Sequence, residues 1–132
     1  MYRFSERSYR NLQGVQPELV AVMTLTLTRA EANNTPDFVV ISGLRTEEEQ
    51  RELVNQGASQ TTNSRHVTGH AIDIAAFDDG YEVTWERTPF VKIADEFKTA
   101  ARDLGVAVEW GGDWKDFPDF GHFALDWEAY PV

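Results

Sequence analysis

The sequence predicts a compact α+β domain in which a mixed or antiparallel sheet packs against helices. Two observations carry this. Apolar residues recur at roughly helical spacing over Leu19, Met23, Leu27 and Ala30, and a second helix is signalled from Thr88 through about Leu104, whereas segments 38–41, 71–75, 107–110 and 122–125 read as short strands. The two kinds of element also interleave without regular β–α–β alternation, which argues against a parallel doubly wound sheet.

Each element has a local reason. Pro17 suits the first turn of a helix, and Asn33-Asn34-Thr35-Pro36 ends it. Phe38-Val39-Val40-Ile41 reads as a buried strand running into Ser42-Gly43-Leu44-Arg45. Thr46 and Glu49 have capping-box spacing for a short helix that stops at Gly57. Thr88-Pro89 opens a second long helix, with Gly105 placed just past its end. In the strand Ala71-Ile72-Asp73-Ile74, alternation sends Ile72 and Ile74 to the core and Ala71 and Asp73 to the other side. No repeat, linker or low-complexity tract interrupts the chain, so residues 1–132 are expected to form one domain.

Composition narrows the function. Without cysteines there is neither a disulfide framework nor a thiolate metal site, so any transition metal must use His, Asp or Glu. With 22 acidic and 12 basic residues the net charge is -10, and no basic stripe is present for nucleic acid. No run of about 18 apolar residues predicts membrane insertion. The N-terminal stretch lacks an apolar signal-peptide core, which predicts synthesis in the cytoplasm without a signal peptide. A monomer is the default expectation.

The densest chemistry lies in Ser64-Arg65-His66-Val67-Thr68-Gly69-His70-Ala71-Ile72-Asp73. His66 and His70 are four apart, as in a zincin helix, but Val67 stands where a zincin needs Glu, and Thr68-Gly69 suits a helix interior poorly. A loop carrying His66, folded back on a strand carrying Asp73, is the better reading. Asp73 at the edge of a buried sheet is costly unless paired or metal-bound. A solvent-facing Asp73 and a plain loop His66 account for this segment equally well. Downstream, His122 opens a strand and Asp119 lies three residues before it. Two histidines, a carboxylate and an open fourth position make the usual catalytic zinc set. Asp113, Asp116 and Asp119 do not have EF-hand spacing and read as a solvated acidic loop. Trp110, Trp114 and Phe120 are either core or cleft wall, with core favoured.

These motifs carry a resemblance. Ser64-x-His66-x-x-Gly69-x-Ala71-x-Asp73 followed by Asp119-x-x-His122 resembles the signature of the zinc D-alanyl-D-alanine carboxypeptidase and L-alanyl-D-glutamate peptidase superfamily, in its bacteriophage endolysin form. Ser42-Gly43-Leu44-Arg45-Thr46 and Glu109-Trp110-Gly111-Gly112-Asp113-Trp114 match the same group, so the likeness spans about 15–125. His70 falls at a variable position and takes no ligand role, and the loop 113–119 is shorter than in some phage members.

The resemblance implies a zinc peptidase domain over 1–132 with Zn2+ held at the sheet by His66, Asp73 and His122. Asp119 would be general base and then acid, Arg45 would stabilise an oxyanion or hold a substrate carboxylate, and Ser64 would hydrogen-bond the substrate. The partner would be a peptidoglycan stem peptide, cut at the L-alanyl-D-glutamate bond at the cell wall. D-alanyl-D-alanine carboxypeptidase activity and a non-catalytic, zinc-stabilised binding module are the alternatives.

Overall fold

The computed structural model describes residues 2–59 and 64–131. Met1 of the N-terminal stretch read above lies outside them. The main sheet runs β1 (Phe38–Ser42), β2 (Ala71–Phe77), β5 (His122–Leu125), β4 (Val108–Trp110), and the two-residue β3 (Val83–Thr84) pairs with the far end of β2. Every pairing is antiparallel. The α+β expectation holds, with the antiparallel alternative realised.

The period-two alternation of the strands decides which face does what. Phe38 and Val40 of β1, Ile72, Ile74 and Ala76 of β2, and Phe123 and Leu125 of β5 join the core. Helices α2 (Pro17–Ala32) and α4 (Arg87–Leu104) pack on each other and against the sheet, contributing Leu19, Val22, Met23 and Leu27 from one and Phe90, Ile93 and Phe97 from the other. Phe97 meets Phe123 edge-on at 4.8 Å between ring centres. Glu96 of α4 fastens the end of α2 by accepting from Arg29, Asn33 and Thr35. Asp73 and His122 are direct cross-strand partners, one residue out of step with the core positions, so both point away from the helices.

The start of α2 at Pro17, the Thr46/Glu49 capping box of α3 (Glu47–Asn55) and the left-handed Gly105 after α4 are as expected. Other features differ. Helix α4 begins at Arg87, with Glu86 as its N-cap, and Pro89 sits inside the first turn, where its missing N–H is not needed. Ala71 and Ala75 are buried as well as Ile72 and Ile74, so the second face of β2 opens at Asp73 and again only at its end, at Phe77. An additional helix, α1 (Glu6–Leu12), lies along β1. It guards that edge strand: Val40 N donates to Ser8 Oγ, and Asn11 Nδ2 donates to Val40 O.

Candidate metal centre

Between α3 and β2, residues 65–69 form consecutive turns rather than a helix, so His66 and His70 do not share a helix face. Gly69 makes this possible. Its φ is +75°, and a Cβ there would collide with the Gly14 carbonyl. The turn is pinned to the start of α2 by Gln16, whose backbone N–H and side-chain amide donate to the Gly69 and Thr68 carbonyls. His66 is thereby buried to 2% exposure, with Nδ1 2.9 Å from the Gly43 carbonyl. A carbonyl only accepts, so Nδ1 carries the hydrogen and Nε2 presents a lone pair.

That lone pair faces Asp73. His66 Nε2 lies 3.3 Å from Asp73 Oδ2, and His122 Nδ1 lies 3.4 Å from Asp73 Oδ1. One ligand atom from each of His66, Asp73 and His122 falls within 4.8 Å of the others. Both histidines are buried, yet His66 Nε2 and Asp73 Oδ1 have no hydrogen-bond partner among the described residues. A buried polar atom without a partner is costly, and two of them converging on one point fit a cation. The donor set of two imidazoles and one carboxylate suits zinc. Burial alone would raise the Asp73 carboxyl, but hydrogen bonding from His122 and then His66, which a proton on the facing ring nitrogens provides while no ion is bound, outweighs this and holds it well below the usual carboxylate range.

Arg45 reaches the same place. Its Nη2 donates to Asp73 Oδ2 at 2.9 Å and its Nη1 to Gln50 Oε1 at 3.0 Å, while its backbone N–H donates to the His66 carbonyl. Gln50, fully buried on α3, and the Gly43 carbonyl are second partners that no motif announced. Both act on a site residue through the fold rather than through sequence neighbourhood.

A cleft of about 380 Å³ opens over these groups and is also lined by Ser64, Trp114, Phe117 and Asp119. Ser64 Oγ accepts the His66 backbone N–H. Asp119 is held by a close approach: a Cβ at Gly111 would strike the Asp119 carbonyl and His122 Cβ, and Asp119 N donates to Gly111 O. Although Asp119 is exposed as a residue, its carboxyl is crowded by the cleft walls. Burial first, and then the negative charge of Asp73, push its pKa up. The structure therefore assembles all six residues singled out by sequence, His66, Asp73, His122, Asp119, Arg45 and Ser64, around one cleft.

Of Trp110, Trp114 and Phe120, Trp110 is the fully buried one. Trp114 lies 4.8 Å from the His122 ring and lines the cleft, and Phe120 is half-buried at the cleft's neighbouring cavity. His70 stays apart, its Nδ1 2.6 Å from Thr68 Oγ1. Asp113 pairs with Lys98 at 2.7 Å. It does not join Asp116 and Asp119 in any metal-holding group among the described residues.

The family model for phage L-alanyl-D-glutamate peptidases matches residues 1–124. The chain belongs to this family. The resemblance read from the motifs is thus borne out. Among solved structures, the chain is similar to the L-Ala D-Glu endopeptidase ChiX of Serratia marcescens, at 45% identity and a TM-score of 0.86, covering 98% of this chain and 94% of that one. The L-alanyl-D-glutamate peptidase of Listeria phage A118 is 32% identical over 96% of this chain. This chain spans only 43% of that relative's length. The L-alanyl-D-glutamate peptidase of Escherichia phage T5 is 29% identical over 90% of this chain and 86% of its own length. No helix among the described residues is long and apolar enough to cross a membrane.

Proposed function

We propose that this chain is a single-domain, monomeric zinc metallopeptidase that hydrolyses the L-alanyl-D-glutamate bond of peptidoglycan stem peptides and acts at the cell wall. The observation that carries this is the convergence of unpartnered His66 Nε2 and Asp73 Oδ1 with His122 on a cleft that also holds Asp119 and Arg45. Family membership and the named activities of the relatives supply the bond.

His66, Asp73 and His122 would hold the ion. Zinc bound by three protein ligands supplies Lewis acidity, polarising the scissile carbonyl and bringing the pKa of a water from 15.7 toward roughly 7. The protein supplies the proton traffic. Asp119 Oδ1 accepts the Gly121 amide at 3.3 Å, leaving Oδ2 to take the proton of the attacking water and pass it to the leaving amine. A carboxyl pushed upward suits this cycling, since it holds a proton more readily than an exposed aspartate. Arg45, oriented by Gln50 and Asp73, offers its remaining donors to a substrate carboxylate.

Incubation with a defined stem peptide and mass spectrometry of the fragments tests the reading. Cleavage between L-alanine and D-glutamate, lost on chelation and in Asp119→Asn, is expected. Release of terminal D-alanine instead would favour the carboxypeptidase alternative, and no product from the zinc-loaded protein would favour a binding module.

A further inference from the structure

We infer that the cleft has a second, aromatic lobe built on Trp85 that receives the N-acetylmuramyl-L-alanine side of the scissile bond, while the Arg45 lobe receives the D-glutamate side. This rests on the peptidase reading above.

A cavity of about 380 Å³ adjoins the first, and Asp73 and Asp119 line both. Its remaining lining is almost wholly apolar: Ile41, Ile74, Trp85, Phe90, Pro118 and Phe120. Its size falls within the range of small-molecule sites. Because the reacting groups stand at the junction, a bound substrate must send its two halves out along two paths, and the two lobes provide them.

Charge assigns the halves. Arg45 lines the first lobe, and among the described residues no cationic side chain lines the second; Arg87, whose guanidinium lies 5.3 Å over the Phe120 ring, is exposed and is not part of that lining. D-glutamate keeps a free carboxylate, which the Arg45 guanidinium in the first lobe can pair and the apolar walls of the second cannot. The L-alanine half is uncharged: a methyl group, an amide, a lactyl ether and a pyranose ring. It matches apolar walls.

Trp85 gives the lobe its sugar chemistry. Its indole stacks on buried Phe90, with ring centres 6.1 Å apart and planes 16° apart, yet the residue remains 63% exposed. A tryptophan fixed on one side and open on the other presents a rigid π surface at little conformational cost. The C–H face of a pyranose fits such a surface. Trp85 is thus a specificity-determining residue for glycan-linked peptide over free peptide.

The test compares kcat/KM for an N-acetylmuramyl-linked stem peptide and the same peptide without its sugar. Wild type should prefer the sugar-bearing substrate, and Trp85→Ala should cut the preference ratio about tenfold. Trp85→Phe, which keeps a ring, should lose less. Arg45→Lys should lower both substrates together and leave the ratio intact. A ratio unchanged in Trp85→Ala, or lowered equally by Arg45→Lys, would overturn the assignment. Calorimetric titration of N-acetylmuramyl-L-alanine amide, whose capped carboxyl keeps it uncharged, reads the lobe without turnover. Binding weakened about tenfold in Trp85→Ala supports it, and equal binding by the two proteins overturns it, even if wild type cleaves neither peptide and the peptidase reading itself fails.

Discussion

Asp119→Asn should move stability and activity in opposite directions. In the metal-free protein the Asp119 carboxyl is pushed up, first by burial and then by Asp73. A group whose folded pKa is raised contributes its full stability below its unfolded value, and loses it progressively as pH rises through the folded value. At neutral pH the ionised Asp119 therefore opposes folding. Asparagine removes that charge while its carbonyl oxygen still accepts the Gly121 amide. Denaturant unfolding at pH 7 in a chelator should place Asp119→Asn at or above the wild-type midpoint, and the gap should close as pH falls toward 4. Turnover of the zinc-loaded variant should fall by a factor of about 10² to 10⁴, the usual cost of losing a general base, equivalent to about 3 to 5.5 kcal/mol of barrier. Near-normal turnover in a folded, zinc-loaded Asp119→Asn would refute the role. A lower midpoint in chelator would refute the electrostatic account of the site.

Further substitutions probe the rest of the site. Asp73→Asn removes the charge that Arg45 and both imidazoles face, so it should weaken zinc retention by at least an order of magnitude and also destabilise the metal-free protein, read by elemental analysis and by unfolding in chelator. Arg45→Lys cannot bridge Gln50 and Asp73 with one planar fork, and it should raise KM for the stem peptide about tenfold while turnover changes less, as steady-state kinetics would show. Far from the site, the Tyr81 hydroxyl donates to Asp37 at 2.8 Å and its pKa is pushed up to about 12. Its neutral form is favoured in the folded state, so this contribution is present below about pH 10 and lost as pH rises from 10 to 12, and Tyr81→Phe should flatten that part of an alkaline stability profile.

The cluster of His66, Asp73 and His122 was legible because its members sit in short motifs, two of them in strands whose alternation fixes their side. Asp73 is flanked by core residues Ile72 and Ile74, and His122 precedes Phe123. The helix ends were equally legible from Pro17, the Thr46/Glu49 box and Gly105. Helix α1 escaped notice because its inward face is only Ser8 and Leu12, too short an apolar pattern to stand out. Its role, satisfying Val40 at a sheet edge, exists only in three dimensions. Gln50 behind Arg45 and the Gly43 carbonyl behind His66 were hidden for the same reason: each acts across the fold with no local signature. Trp114 and Phe120 were read toward the core because aromatic residues usually belong there. The short loop before His122 instead brings Trp114 to the cleft wall, while Phe120 packs against the core and lines the neighbouring cavity as well.

The most direct measurement is the zinc content of the purified protein and of His66→Ala, His122→Ala and His70→Ala, by elemental analysis after equal zinc exposure and desalting. About one zinc per chain is expected in wild type and in His70→Ala, with loss in the other two. His66→Ala and His122→Ala that both keep a full equivalent, or a His70→Ala that loses it, would contradict the assignment of the metal to His66, Asp73 and His122.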